Sequence, residues 1–109
     1  LEFDGLDAAC RHVAAFAPDG TLVGTARLRA TDKGAKAERV AVVRSQRGAG
    51  VGAALMAALE ELARQDGHDR IVLHAQQTAL PFYDRLGYRR IGEIFEEAGI
   101  PHLTMDRDL

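Results

Sequence analysis

The chain has 109 residues, of which 47% are hydrophobic and 28% charged, and its formal net charge at pH 7 is −2. This length predicts one domain, residues 1–109, with a single modest core. The slightly acidic balance argues against nucleic-acid and anionic-membrane partners, and no apolar run is long enough for a membrane-spanning helix. The lone cysteine, Cys10, cannot form an internal disulfide, which favours a reducing cytoplasm.

The first third of the chain predicts strands. Residues 1–9 carry no clear pattern and are expected to be a weakly fixed end. Two segments rich in apolar and β-favouring residues, 11–17 and 21–30, are separated by Pro18-Asp19-Gly20, which is typical of a tight turn. They predict an antiparallel hairpin. After a polar loop, residues 36–43 predict a third strand.

A long amphipathic helix is predicted next. Apolar residues recur at the i, i+3, i+4 and i+7 spacing of one helix face, and Gly67 follows as a stop signal. The members of this face are Val51, Ala54, Leu55, Ala58, Leu59, Leu62 and Ala63. The helix is therefore expected to run from 50 to about 66.

The last third predicts a return to the sheet. A strand at 70–75 is expected to run parallel to the strand at 36–43, because strand–helix–strand crossovers are right-handed and place the helix on one face. A short helix at 78–86 follows. Strands at 88–96 and 102–106 are predicted to close the sheet as a second hairpin across a five-residue turn at 97–101, which gives a mixed α/β fold.

The segment between the third strand and the long helix is rich in glycine. Gly48, Gly50 and Gly52 alternate with other residues directly after Arg47. The first turn of a helix has amide N–H groups without intrahelical partners, so an anion can bind there. Glycine lets the anion approach the main chain and lets the turn adopt positive φ, and Arg47 adds a positive charge. The alternative is a tight turn that needs glycine for geometry alone.

Two other nucleotide-binding loops fit this segment less well. A P-loop ends in Gly-Lys-Ser/Thr, but here Gly52 is followed by Ala53 and Ala54. The dinucleotide fingerprint G-x-G-x-x-G/A matches residues 48–53 literally. However, the next strand ends in His74-Ala75-Gln76 rather than in an acidic residue, and a hairpin precedes the loop. A dehydrogenase is therefore disfavoured.

Three segments resemble those of a known family. Arg47-Gly48-Ala49-Gly50-Val51-Gly52 resembles the Q/R-x-x-G-x-G/A motif of the GNAT N-acetyltransferases. Pro81-Phe82-Tyr83-Asp84-Arg85-Leu86-Gly87-Tyr88 resembles the F-Y-x-x-x-G-F/Y segment of that family. Glu97-Ala98-Gly99-Ile100-Pro101-His102, with His74-Ala75-Gln76, is similar to the ElaA-like bacterial branch. The three motifs stand in the family order and span most of the chain.

The resemblance implies a GNAT fold, in which a mixed, mostly antiparallel sheet has a central parallel strand pair splayed around acetyl-coenzyme A. The family's N-terminal strand and two helices have no counterpart in this chain. The resemblance also implies that main-chain amides of the glycine-rich loop bind the pyrophosphate and that one strand edge pairs with the pantetheine arm. The cofactor-binding residues implied in this way are Val40, Ala41, Val42, Arg47, Gly48, Ala49, Gly50, Val51, Gly52, Ala53 and Gln76.

Acetyl transfer needs a base for the amine, a polarised thioester carbonyl and a proton donor for the thiolate. The resemblance implies Tyr83 as the donor, although Tyr83 also fits a core aromatic. The carbonyl is expected to be polarised by a main-chain N–H near Val42. In a regular strand Glu38, Val40 and Val42 share one face, so Glu38 is predicted as the base, and a surface carboxylate explains it almost as well.

The predicted function is an N-acetyltransferase that moves the acetyl group of acetyl-coenzyme A to a primary amine, small molecule or peptide, by direct attack in a ternary complex. The alternative is a non-catalytic acyl-coenzyme A-binding or sensing module. The four histidines lack metal-ligand spacing, so no metal is expected. His102 is expected to be a hydrogen-bonded structural residue or to line the acceptor pocket. A homodimer is left open.

Overall fold

The computed structural model describes residues 2–6 and 10–109. A seven-stranded sheet has the strand order β1-β2-β3-β4-β5-β7-β6 and carries two α-helices. The elements are β1 (Glu2–Leu6), β2 (Cys10–Phe16), β3 (Leu22–Thr31), β4 (Gly34–Val42), α1 (Val51–Gln65), β5 (Arg70–Gln76), α2 (Leu80–Arg85), β6 (Arg89–Glu97) and β7 (Ile100–Asp108). Short 3-10 turns at Arg44–Gln46 and Gln77–Ala79 precede the helices. No helix in this part of the chain is long and apolar enough to span a membrane.

The sheet has a central parallel pair, as the sequence predicts. β4 and β5 run parallel, and every other neighbouring pair among the described strands is antiparallel. Pairing between β4 and β5 ends at Ala37↔Leu73, although β4 continues to Val42 and β5 to Gln76. The two strands therefore separate towards their carboxyl ends. We call this opening, bordered by residues 38–42 and 74–76, the splay.

Helix α1 packs on one face of the sheet because its apolar stripe meets the apolar residues of the strands. Leu55, Met56 and Leu59 are fully buried, and the strand residues beneath them include Leu28 and Ile71. The other face of the sheet, which we call the polar face, carries the side chains that alternate with these core residues. Its members near the splay include Arg27, Lys36, Glu38, His74 and Thr104.

Two local expectations from the sequence are wrong. Residues 2–6 form a strand antiparallel to β2, because pairing along a sheet edge uses main-chain groups that leave no side-chain pattern. The rest of the predicted weakly fixed end, residue 1 and residues 7–9, lies outside the described residues. The turn between β6 and β7 spans only Ala98 and Gly99, with φ of 54° and 74°, because positive φ at both central residues makes a two-residue turn that continues the strands.

Strand β4 contains a β-bulge. From Glu38 to Ala41 it advances three residues, while the facing strand advances only two, from Arg27 to Thr25. Arg39, inside this stretch, has a φ of 55°, which is uncommon for a residue with a side chain. The extra residue reverses the alternation of side chains between the two faces of the sheet.

Candidate active site

The loop before α1 presents unpaired main-chain donors. Gly48 and Gly50 have φ of 84° and 83°, and a Cβ at either position would meet nothing within 4 Å. Within the described residues, no acceptor faces the amides of Gly48, Gly50, Val51, Gly52 and Ala53. The first turn of α1 has no acidic residue. The loop therefore has the geometry and the positive helix end that bind an anion, and we call it the amide cradle.

Gly52 and Ala49 differ from the other cradle residues. Gly52 is helical, and a Cβ there would lie 3.1 Å from Cζ of Phe82 and 3.8 Å from Cγ2 of Val42. The expectation of positive φ is thus wrong for Gly52, which lets α2 pack against the first turn of α1. The amide of Ala49 donates to the carbonyl oxygen of Gln46 at 3.2 Å, so it is already satisfied.

The cradle and the splay form one continuous surface. Strand β4 leaves the splay at Val42 and enters the cradle after the short 3-10 turn. Nε of Arg47 donates to the carbonyl oxygen of Val42 at 3.4 Å, which holds the exposed guanidinium beside the cradle. Ala41 and Gln76 are exposed on opposite rims of the splay. Most residues that the resemblance implies for the cofactor therefore lie along one path.

Tyr83 combines a buried ring with an accessible hydroxyl. The residue is 8% exposed, and burial raises the pKa of the phenol. Its hydroxyl has no hydrogen-bond partner among the described residues. It is nevertheless not a buried unpaired atom, since the only such side-chain atom in the described residues is Nε of Arg27. The Tyr83 hydroxyl therefore keeps contact with solvent. The ring meets Phe82 edge to face, with centroids 4.9 Å apart. Phe82 also packs against Gly52 of the cradle, so it lies between the Tyr83 ring and the first turn of α1.

Glu38 is held by three cations. Nη2 of Arg27 donates to it at 2.6 Å, Nε of Arg29 at 3.1 Å, and Nζ of Lys36 lies 3.5 Å away. Burial raises the pKa of Glu38, but the hydrogen bonds from Arg29 and Arg27 outweigh burial and bring the pKa to about 2. A carboxylate with this pKa holds a proton weakly at neutral pH. The base role of Glu38 stays a prediction, and these charges disfavour it.

The bulge also puts Glu38 and Val42 on opposite faces of the sheet. Glu38 pairs with Arg27 on the polar face, whereas Val42 pairs with Gly24 on the face covered by α1. The expectation that Glu38 and Val42 share a face is therefore wrong, because it assumed a regular strand.

A second titratable cluster lies at the rim of the splay. Nδ1 of His74 donates to Oε1 of Glu97 at 3.2 Å, and the Phe95 ring meets the His74 ring edge to face at 5.0 Å. His102 is buried and hydrogen-bonded, as expected: its Nδ1 donates to the Ile100 carbonyl oxygen at 2.7 Å, and its Nε2 lies 3.6 Å from Glu97 Oε2. Glu97 was not predicted as a site residue, and its only signal in the sequence is the motif that contains it, residues 97–102.

Metal binding was not expected, and the described residues hold no group of three or more histidine, cysteine, aspartate or glutamate side chains arranged around a cation site. The candidate site comprises the amide cradle, the splay, Tyr83 and the charged groups of the polar face.

A splayed parallel strand pair that leads into a glycine-rich loop of unpaired main-chain amides is the arrangement that the GNAT resemblance implies for an acyl-coenzyme A-dependent acyltransferase. The model of the acetyltransferase (GNAT) domain matches residues 6–109, so the chain belongs to the GNAT acetyltransferase family. This family uses acyl-coenzyme A.

Relatives agree with this assignment. The chain is similar to the uncharacterized N-acetyltransferase YjcF of Bacillus subtilis, with 43% identity over 109 residues, covering 98% of this chain and 76% of YjcF. It resembles Escherichia coli ElaA with a TM-score of 0.78 and 32% identity, covering 90% of this chain and 68% of ElaA. An acyl-CoA N-acyltransferase from Pseudomonas aeruginosa gives a TM-score of 0.79 and 28% identity, covering 94% and 70%.

Proposed function

We propose that this protein transfers the acetyl group of acetyl-coenzyme A to a primary amine, by direct attack in a ternary complex. The observation that carries the proposal is the continuity of the splay with the amide cradle. The strand edges that would flank an acyl chain lead directly to five unpaired amides that suit a pyrophosphate. Each charge-assisted hydrogen bond is worth roughly 1.5–3 kcal/mol, so several of them can hold the anion in water.

Each part of the site has a proposed task. The amides of Gly48 and residues 50–53, with the guanidinium of Arg47, hold the pyrophosphate. The exposed edge of β4 at residues 40–42 runs along the pantetheine arm, and the Gln76 amide contacts the cofactor from the opposite rim. Because Ala49 has its amide satisfied, it contributes shape rather than a donor.

The chemistry is divided between main chain and side chains. Bound acetyl-coenzyme A supplies an activated acyl group. A main-chain N–H near Val42 polarises the thioester carbonyl, and the Tyr83 hydroxyl gives its proton to the departing sulfur. The raised pKa of Tyr83 keeps the phenol protonated at neutral pH, and its hydroxyl has no competing protein partner among the described residues.

The proposal is tested by incubating the protein with acetyl-coenzyme A and a panel of amines: aminosugars, amino acids, polyamines and a lysine peptide. We expect free thiol and acetylated amine to appear in equal amounts with at least one acceptor. If acetyl-coenzyme A raises the melting temperature but no amine is acetylated, the protein is a binding or sensing module instead.

A matched pair of glycine variants connects the activity to the cradle. Gly50→Val places a branched side chain in the cradle, whereas Gly67→Val places the same side chain at a similar φ, 86°, in equally open space beyond α1. Both variants strain the backbone. We expect only Gly50→Val to lose the rise in melting temperature with acetyl-coenzyme A and the thiol release. Equal loss in both variants would remove the cradle from the proposal.

A further inference from the structure

The three cations around Glu38 disfavour it as the base, and the polar face offers another candidate. Glu38 and His74 each follow the last β4–β5 pair, Ala37↔Leu73, by one residue, so they flank the start of the splay. Both lie on the polar face, two residues beyond the Lys36↔Val72 pair. Glu38 is held by three cations, whereas His74 is held by a carboxylate.

The hydrogen bond of His74 determines which ring nitrogen is free. A carboxylate accepts and does not donate, so the contact with Glu97 Oε1 places the proton on Nδ1. In the neutral imidazole, Nε2 then carries the lone pair, and no described residue donates to it. Phe95 packs against the same ring and restricts its rotation. This is the arrangement of a carboxylate that orients an imidazole for proton abstraction.

We infer that His74 is the general base for the attacking amine and that Glu97 is its positioning residue. The inference rests on the proposed function. Among the described residues, one further titratable group contacts the His74–Glu97 pair: Nε2 of His102 lies 3.6 Å from Oε2 of Glu97. Nδ1 of His102 donates to the Ile100 carbonyl oxygen, so His102 is engaged at the start of β7, whereas His74 has one ring nitrogen without a partner among the described residues.

The proton balance of the step is complete. The amine nitrogen forms a bond to the carbonyl carbon, and the carbon–sulfur bond breaks with its electron pair on sulfur. Nε2 of His74 takes the proton that the nitrogen releases, and the Tyr83 hydroxyl delivers a proton to the sulfur. Solvent then returns one proton from the His74 imidazolium to the Tyr83 phenolate, which restores both residues.

The first test compares His74→Gln with His68→Gln. His68 lies at the opposite end of β5, after α1, and serves as the control. We expect His74→Gln to lower kcat by roughly 10²–10⁴-fold, with an unchanged rise in melting temperature on adding coenzyme A, while His68→Gln keeps the wild-type kcat.

A second test reads the tautomer directly, without turnover. Long-range ¹H–¹⁵N spectra should show His74 protonated at Nδ1 in the wild type. Glu97→Ala should move that proton to Nε2, and Glu96→Ala, the neighbouring exposed glutamate on β6, should leave it in place.

The possible outcomes separate the two proposals. If His74→Gln keeps wild-type kcat, the inference is overturned and the acetyltransferase function stands. If His74 in the wild type is protonated at Nε2, the inference is overturned whatever the activity. If no amine is acetylated by the wild type, the proposed function fails and the base assignment fails with it.

Discussion

Tyr83 and Tyr88 pack edge to face with ring centroids 5.7 Å apart, yet their hydroxyl groups have opposite environments. The Tyr88 hydroxyl donates to Oε2 of the buried Glu60 at 2.7 Å, whereas that of Tyr83 has no partner among the described residues. Burial raises the pKa of both phenols, and Glu60 raises that of Tyr88 further. One tyrosine is therefore built into the core, and the other presents its hydroxyl to the surface.

Tyr83→Phe should leave stability almost unchanged and lower kcat roughly ten- to a thousand-fold, because it removes the proton donor but keeps the ring. The measurement is steady-state turnover with a good acceptor, under conditions in which chemistry limits the rate. Since the donor acts in its protonated form and burial raises its pKa, wild-type kcat should fall only above the ordinary tyrosine range near 10. Full turnover in Tyr83→Phe would make Tyr83 an ordinary core aromatic.

Tyr88→Phe serves as the structural counterpart. Removing its hydroxyl takes one hydrogen-bond donor from the Glu60 carboxylate. The other donor remains, because Nη1 of Arg107 donates to Oε1 of Glu60 at 2.9 Å. We expect a loss of about 1–3 kcal/mol in the free energy of unfolding, measured by urea denaturation, and an unchanged kcat per folded molecule. A larger loss of turnover in Tyr88→Phe than in Tyr83→Phe would exchange the roles of the two residues.

Glu38→Gln should destabilise the protein at pH 7 but much less at low pH. The folded pKa of about 2 lies below the ordinary 4.5, so the carboxylate contributes stability above pH 4.5 and loses it as the pH falls towards 2. We expect Glu38→Gln to lower the free energy of unfolding by about 1–2 kcal/mol at pH 7. This loss is smaller than the pKa difference alone gives, because solvent screens the partly exposed cations. Urea denaturation at pH 7 and pH 3 measures the difference.

Glu96→Gln is the control for this charge effect, since Glu96 is exposed and has no ion pair among the described residues; it should change little at either pH. The turnover of Glu38→Gln, corrected for the folded fraction, should stay near that of the wild type. A stable Glu38→Gln protein with at least a ten-fold lower kcat would return the base role to Glu38.

Gly24→Ala should cost about 1–3 kcal/mol of unfolding free energy, because its new methyl group has no room. A Cβ there would lie 3.0 Å from side-chain atoms of Leu55 and Val51 and 3.1 Å from the carbonyl oxygen of Ala41. Gly52→Ala meets mainly the Phe82 ring, and the gain in helix propensity of up to about 1 kcal/mol offsets that contact. Chemical denaturation of both variants should therefore separate them. Equal destabilisation by Gly24→Ala and Gly52→Ala would contradict the prediction, because it would mean that an added methyl group is equally crowded at both positions.

The order and direction of the main elements could be predicted from sequence because their signals are local. Apolar periodicity identifies α1, turn chemistry identifies the hairpin at Pro18-Asp19-Gly20, and crossover handedness fixes β5 parallel to β4. The strand at Glu2–Leu6 was missed because edge pairing depends on main-chain groups. The bulge near Arg39 was missed because nothing in the local sequence requires a positive φ at an arginine.

Of the candidate site, only the main-chain geometry of the glycine-rich loop could be predicted. The glycine spacing predicted an open loop, and Gly48 and Gly50 do adopt positive φ in open space. Side-chain partnerships between distant strands leave no such signal. The cations around Glu38 and the contact between His74 and Glu97 depend on strand register, and one extra residue in β4 reverses which side chains share a face.

An NMR titration with coenzyme A places the ligand most directly, because each main-chain amide reports its own contacts. With coenzyme A in the splay and its pyrophosphate on the cradle, the amides of Gly48 and residues 50–53 should shift together and saturably, while those of Gly34 and Gly67 at the other end of the sheet stay in place. Saturable shifts at Gly34 and Gly67 with unmoved cradle amides would contradict the assignment of this surface as the acyl-coenzyme A site.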